Sequence, residues 1–230
     1  LDGLSGGERY VLALVSHWSK KHDVDVFWED TAILQQAQER LHLDLGNVHV
    51  VPNVFQHGNA VSKLLVSRSY DLIFFLSDGS VPFSLARHNI LHFQAPFASV
   101  SAHHWKLNRY DAIVCNSNFT KNNLDPALRA KASVIYPSVI TKVSGSTKKE
   151  KIILSVGRFH PAKKQNVLID AFKRMKQASW RLVCIGGLLP ADKEYVSSLS
   201  QRAAGYSIDI ITNGTYAELQ SYYRKASVYW

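Results

Sequence analysis

Three cations close together in the chain, Arg158, Lys163 and Lys164, are the side chains whose type and spacing most directly suggest chemistry. They lie in the stretch KIILSVGRFHPAKK, residues 151–164. Ile152, Ile153, Leu154 and Val156 form the near-continuous apolar run of a strand covered on both faces in a parallel sheet. Gly157-Arg158 ends that run. Beyond the lysines, Val167, Leu168, Ala171, Phe172 and Met175 recur at helical spacing, so the two lysines are expected to open a helix. The three cations then fall between a strand's carboxyl end and a helix N-terminus. Ligands of open α/β sheets bind there, and helix-start N–H groups favour anions. Positive side chains at the positive end of a helix are locally unfavourable, and a bound anion such as a diphosphate relieves the conflict. A solvated basic loop is the other reading; Arg158 directly after a glycine at a strand tip favours the anion site.

Other polar groups fall at strand ends. His92 and Gln94, in NILHFQAPF, are two apart and share one strand face. A lone histidine in an apolar strand is more often a satisfied core residue than a catalyst. Ser77-Asp78 open a polar loop after the buried run DLIFFL. Asn116-Ser117 follow another strand, with Ser117 suited to cap the helix that comes next. Gly6-Gly7 precede a helix whose start has the Ser5-x-x-Glu8 spacing of a capping box. They read either as an ordinary helix start or as a close backbone approach to a ligand, which only glycine permits. His103 and His104 have no partners at metal-ligand spacing, so no metal or other cofactor is expected.

The elements that must hold these residues alternate. Strands are expected over 24–28, 48–51, 71–76, 89–97, 132–135, 180–185 and 208–211, with another after Tyr110. Helices are expected over 31–41, 59–69 and 191–203, and from a second capping box at Thr215-x-x-Glu218 through Leu219, Tyr222, Tyr223 and Ala226. Alternation of this kind argues for an α/β fold with doubly wound parallel sheets. Pro137–Lys149, rich in Pro, Gly, Ser and Lys, reads as a linker. It divides an N-terminal domain, 1–136, from a C-terminal one, 150–230.

Composition sets the outer bounds. The chain has 230 residues, with 27 Lys+Arg against 18 Asp+Glu for a net charge of +9. That charge suits anionic partners: nucleotides, phosphorylated lipids, anionic membranes or nucleic acid. No nucleic-acid-reading motif is present, so a nucleic-acid partner is not expected. Cys115 and Cys184 each lie in an apolar run and read as buried thiols of a reducing, cytoplasmic compartment. The Asn118-Phe-Thr120 and Asn213-Gly-Thr215 sequons then read as chance matches. No apolar run reaches the ~18 residues of a membrane span. No signal peptide is visible. Leu1 is not an initiator and the chain stops inside an apolar stretch, so both ends are expected to be truncated. An incomplete second sheet would leave the isolated fragment poorly soluble. A G-x-G-x-x-G after a strand and a G-x-x-x-x-G-K-[ST] are both missing, which argues against a dinucleotide dehydrogenase and a P-loop NTPase.

One family shares several of these motifs in order. GRFHPAKKQNVLIDAF resembles the GR-x-x-P-x-K-x-x-x-x-LI-x-AF segment of bacterial-type family 4 retaining glycosyltransferases, which have the GT-B fold. GGER resembles their first glycine loop, YDAIVCNSNFT their YD-x-I-x-x-NS-x-F-T, and NGTYAELQSYYRKA their G-x-x-x-x-EL-x-x-YY-x-x-A. The resemblance runs from Gly6 to Trp230. It implies two Rossmann-like domains facing a cleft, the first acceptor-side and the second holding a nucleotide-sugar donor. It implies that Arg158 and Lys163 grip the donor diphosphate, with Lys164 standing where the family usually has glycine, so that either lysine is open as the phosphate ligand. Gly6 and Gly7 would pass beneath the diphosphate, and Gly186, Gly187, Asn213 and Gly214 would form the nucleotide-side loops. The family's catalytic-face histidine stands two residues before a proline; here Gln94 holds that place and His92 is one pleat away, so both are candidates. Ser77, Asp78, Asn116 and Ser117 would face the acceptor side or cleft. A pair of acidic residues gripping the donor sugar would lie beyond Trp230.

The implied activity is transfer of a sugar from a nucleoside-diphosphate donor to a saccharide or lipid-linked acceptor, with retention and without a metal. It would take place in the cytoplasm or at the inner membrane face. A sugar-nucleotide epimerase of the same fold and a non-catalytic nucleotide- or phosphate-binding module are the alternatives. Donor turnover without acceptor marks the first. Tight nucleotide binding with no sugar release marks the second.

Overall fold

The computed structural model describes residues 4, 6–100, 104–138 and 148–230. Most of the expected linker at 137–149, Ser5 of the expected first capping box, and His103 lie outside these residues. The strands are β1 (Val24–Phe27), β2 (Val48–Val51), β3 (Leu72–Ser77), β4 (His88–Phe93), β5 (Ala112–Cys115), β6 (Ala132–Val134), β7 (Glu150–Val156), β8 (Arg181–Gly186), β9 (Ile208–Thr212) and β10 (Ala226–Tyr229). The helices are α1 (Gly6–Trp18), α2 (Ile33–Leu41), α3 (Val54–His57), α4 (Ala60–Arg68), α5 (His104–Leu107), α6 (Asn118–Asn122), α7 (Pro126–Arg129), α8 (Gln165–Arg174), α9 (Lys193–Ala203) and α10 (Tyr216–Lys225). Among the described residues no helix is long and apolar enough to cross a membrane.

The chain gathers into two compact units that interleave along the sequence. One combines Leu1–Lys21, Ala32–Asn47 and Thr141–Trp230; the other combines His22–Thr31 and Val48–Ile140. The second carries a four-stranded sheet of order β3-β4-β5-β6 and a two-stranded sheet β1-β2, every pairing parallel. Ile73, Phe75, Leu91, Phe93, Ile113 and Cys115 supply its core. The Tyr70 hydroxyl donates to the Asp25 carboxylate at 2.6 Å, joining β1 to the chain just before β3.

The first unit is built on a parallel sheet of order β10-β7-β8-β9. Both faces are covered, as the continuous apolar run of β7 requires. Ile153, Leu182 and Cys184 pack with Leu168, Ile169 and Phe172 of α8 and Leu199 of α9. On the other face Ile152, Leu154, Val183 and Ile185 pack with Leu219 and Tyr222 of α10. Arg202 of α9 donates to both carboxylate oxygens of Asp170 on α8, at 2.7 and 2.9 Å, pinning the two helices together.

Three sequence expectations need correction here. The buried stripe of α8 is Gln165, Leu168, Ile169 and Phe172, while Val167 is 56% and Met175 38% exposed. The helix also opens two residues later than expected, at Gln165: Lys163 ends a 3-10 turn begun at Pro161, and Lys164 sits in left-handed conformation before Gln165. Finally, Ala226 does not continue α10. It turns to extended backbone (φ −62°, ψ 137°) and begins β10, which pairs in parallel with β7.

Candidate functional site

The tips of β7, β8 and β9 form the floor of a concavity. Gly157 N–H donates to the Ile185 carbonyl at 3.1 Å, and Phe159 N–H to the Gly187 carbonyl at 2.8 Å. The two strand ends therefore stay zipped beyond the regular ladder. They approach so closely at Gly186 that a Cβ there would lie 1.8 Å from the Gly157 carbonyl oxygen, so glycine is required. Phe159 is fully buried and anchors the loop from below. A polar chain fixes the next turn: Tyr195 Oη donates to Gln165 Oε1 at 3.2 Å, and Gln165 Nε2 donates to the Arg158 carbonyl at 3.0 Å. Gln165 is itself buried, so these bonds satisfy groups that solvent cannot reach. On the β9 side, Asn213 adopts φ 55°, donates its N–H to the Gly186 carbonyl at 2.7 Å, and accepts the Leu188 N–H on Oδ1 at 3.0 Å. The capping box expected at Thr215 and Glu218 is present and starts α10 beside the pocket. Thr215 bonds to the Glu218 carboxylate hold that acid below its usual range.

The pocket has a volume of about 230 Å³. Its wall includes Arg158 with Gly157, Gly186, Gly187 and Gly214 from the strand tips, Gly6 and Arg9 from α1, Arg40 from α2, and Tyr216 from α10. Leu4, Leu41, Val156, Ile185 and Leu219 make up an apolar part of the lining, and among the described residues no carboxylate lines it. The structure thus brings together Gly6, Arg158, Gly186, Gly187 and Gly214 of the residues singled out in the sequence. Gly7, Asn213, Lys163 and Lys164 are not part of the wall; Asn213 shapes it through its backbone bonds, and both lysines are exposed. Arg9, Arg40 and Tyr216 were not foreseen. Arg9 is the R of the GGER motif and was within reach of the sequence; Arg40 carries no local signal.

Arg9 is held in place. Its Nη1 donates to the Leu41 carbonyl at 3.5 Å, and its guanidinium carbon lies 5.7 Å over the Tyr216 ring. Tyr216 in turn stacks on His42, with ring planes 3° apart and centroids 5.4 Å apart. Burial pushes the Arg40 guanidinium pKa down, and the nearby Glu8 charge partly offsets this.

The remaining candidates occupy the other unit. His92 is fully buried in β4 between Leu76 of β3 and Val114 of β5, stacked on Phe74 at 5.4 Å. Burial pushes its pKa down to about 4, so it is neutral at pH 7 and sits inside the protein. Gln94 follows β4 half-buried, and its carbonyl accepts Asn116 Nδ2 at 3.0 Å. Asn116 Oδ1 accepts the Thr120 hydroxyl at 2.7 Å, while the Ser117 hydroxyl caps α6 by accepting the Thr120 N–H at 3.1 Å. Ser77 and Asp78 tie down the loop after β3. The Ser77 hydroxyl donates to the Ser80 carbonyl at 2.7 Å, and Asp78 accepts the Ser80 N–H at 3.0 Å; the Ser80 hydroxyl first, and then this N–H, lower the Asp78 pKa. Among the described residues no group of three or more His, Cys, Asp or Glu is placed to hold a metal ion.

Family comparisons agree with this architecture. The model for Glycosyltransferase Family 4 matches residues 4–143, and that for Glycosyl transferases group 1 matches residues 139–230. The chain belongs to glycosyltransferase family 4. Its α/β units with all-parallel sheets are of the Rossmann-like kind expected of a GT-B protein. An uncharacterized glycosyltransferase of Methanocaldococcus jannaschii is 31% identical to this family 4 chain over 119 residues, 51% of the chain and 32% of that relative. The chain thus spans about a third of the length of the relative it matches.

Proposed function

We propose that the protein transfers a glycosyl group from a nucleoside-diphosphate sugar to an acceptor, with retention at the anomeric carbon. The observation that carries this reading is the pocket at the carboxyl ends of β7, β8 and β9, whose wall combines Arg158 with strand-tip glycines and, among the described residues, no carboxylate. Open parallel sheets bind nucleotides at this edge. In the transfer, the bond from the anomeric carbon to the diphosphate oxygen breaks and that carbon bonds to the acceptor hydroxyl oxygen, whose proton leaves. Negative charge builds on the departing diphosphate. A guanidinium offsets that charge where it develops, and the polar chain through Gln165 fixes the Arg158 backbone at the strand tip from which the side chain extends. A unit charge pair at about 4 Å is worth roughly 4 kcal/mol at an effective dielectric near 20, before solvation costs.

As the family resemblance implies, the donor is assigned to the C-terminal part, residues 150–230, here joined at the pocket wall by Gly6, Arg9 and Arg40 of α1 and α2, and the acceptor side to the rest of residues 1–136. A hexosyl donor, a saccharide or lipid-linked acceptor, a cytoplasmic site of action with peripheral membrane contact, and independence from metal belong to the same proposal. The two buried, unbridged cysteines accord with a reducing compartment.

The test is titration calorimetry of the full-length protein against a panel of nucleoside diphosphates, with and without chelator, beside turnover of the matching sugar donors. One nucleotide binds saturably and independently of chelator, and Arg158→Ala lowers turnover by about 100-fold or more, as removal of an oxyanion donor does. Near wild-type turnover in Arg158→Ala refutes the role of Arg158; no binding of any nucleotide by the folded protein refutes the donor site.

A further inference from the structure

The pocket holds more positive charge than one arginine supplies. Arg9 and Arg40 reach the same wall from α1 and α2. The ion pairs of this unit run elsewhere: Arg181 to Asp209, Arg202 to Asp170 and Lys225 to Glu150. Among the described residues none of the three pocket arginines has a carboxylate within ion-pair distance, and Glu8 is the one acid whose charge acts on Arg40. Arg9 is already ordered by the Leu41 carbonyl and the Tyr216 ring, so a ligand need not immobilise it. Arg40 is desolvated, and a bound anion restores to it what burial removed.

The two nucleotide species of the proposed reaction differ in charge. The diphosphate of a sugar ester is blocked at its terminal phosphate. The free diphosphate has a terminal phosphate with a second pKa near 6, and so carries about one more negative charge at pH 7. A site with one cation separates them weakly. A site with three separates them more, because the added charge meets every guanidinium.

We infer that Arg9 and Arg40 are specificity-determining residues that tune the pocket to the free nucleoside diphosphate rather than to its sugar ester. The pocket thereby favours the state in which charge has moved onto the departing diphosphate, and it retains that product after transfer. This inference rests on reading the site as a nucleoside-diphosphate pocket.

The experiment compares, in the full-length protein, the affinities of a nucleoside diphosphate, its monophosphate and its sugar ester for each base in the panel, at two salt concentrations. Wild type is expected to bind the free diphosphate about tenfold more tightly than the ester, the equivalent of one modest charge interaction. Arg9→Gln and Arg40→Gln each bring that ratio down several-fold and flatten its salt dependence. Arg9→Lys and Arg40→Lys, which keep the charge, retain most of it. A ratio unchanged in both Gln variants, or Lys variants that behave as the Gln variants do, overturns the inference while leaving the donor pocket standing. Failure of wild type to bind any nucleotide overturns both. A ratio of affinities is insensitive to general loss of stability, which lowers all three ligands alike.

Discussion

Replacing Gly186 with alanine tests the geometry of the site at its tightest point. The added Cβ would lie 1.8 Å from the Gly157 carbonyl oxygen, 2.6 Å from its carbon and 3.3 Å from the Arg158 nitrogen. All three are backbone atoms, so no rotamer change relieves the clash. Ordinary contact begins at 3.4 Å, so the tips of β7 and β8 must part by 3.4 − 1.8, or about 1.6 Å. That displacement breaks the bonds from Gly157 to Ile185 and from Phe159 to Gly187, now 3.1 and 2.8 Å long. Overpacking costs roughly 1–3 kcal/mol and each of the two lost bonds about 1 kcal/mol, so a total near 4 kcal/mol is expected. For a protein of this size the same loss lowers Tm by roughly 8–16 °C. Because Arg158 moves with the tip, nucleotide affinity falls as well. Gly157→Ala is the control. Nothing lies within 4 Å of its added Cβ, and its stability is expected within about 0.5 kcal/mol of wild type. Denaturant unfolding and nucleotide titration of both variants make the comparison. A Gly186→Ala protein as stable and as tight-binding as Gly157→Ala would refute the reasoning.

Two further perturbations follow from single residues. His92 is held neutral by burial with a pKa near 4, whereas the unfolded chain takes up its proton near pH 6.5. Its contribution to stability is whole above about pH 6.5 and is lost as pH falls toward 4, by up to roughly 3 kcal/mol. Acidification from pH 7 to 4.5 should therefore lower the unfolding free energy of wild type relative to that of His92→Phe; a difference constant in pH would count against a buried neutral ring. Lys164 adopts φ 58°, ψ 30°, a conformation that costs a side-chain-bearing residue about 1–2 kcal/mol and glycine nothing. After the entropy that glycine gives up on folding, Lys164→Gly should raise stability by roughly 0.5–1 kcal/mol in denaturant melts, and a loss would show that the lysine side chain compensates its backbone.

The parts of the fold that were legible in the sequence are those governed by local periodicity. The run at residues 152–156 marks a strand because its parallel sheet is covered on both faces, and the run at 71–76 marks one too, although Leu72 and Leu76 prove exposed and only alternate residues are covered. The Thr215–Glu218 spacing marks a helix start because two orphan donors are satisfied at once. What failed locally was decided by partners. Nothing interrupts the helical pattern at Ala226, and only pairing with β7 makes Ala226–Tyr229 a strand. In α8 Val167 and Ile169 flank the same stripe, and the position of the sheet selects Ile169. The site divides the same way. Arg158 and the strand-tip glycines stand in short motifs, whereas Arg40 reaches the pocket through the path of α2, with no pattern in its neighbours to mark it. Lys164 is a mixed case: its place in a position the family fills with glycine is readable, and its left-handed backbone gives the reason.

The pairing of β10 with β7 has a consequence for the order in which the protein is made. Ser227 donates to the Glu150 carbonyl 77 residues upstream, and Trp230 N–H reaches the Leu154 carbonyl. At ribosomal speeds of about 5–20 residues per second, β7 waits roughly 4–15 s for that neighbour. During the wait its outer edge presents a row of unpaired backbone groups, the kind of surface to which nascent chains misassemble. β8, whose pairing begins at Arg181 opposite Ile152, arrives far sooner and zips the Gly157–Arg158 end from the other side. The tip of β7 is therefore shaped by the early neighbour, while the late one pairs with β7 only as far as Leu154. A synonymous-codon change that slows translation between β9 and β10 would lengthen the exposure of β7 without altering a single residue of the pocket.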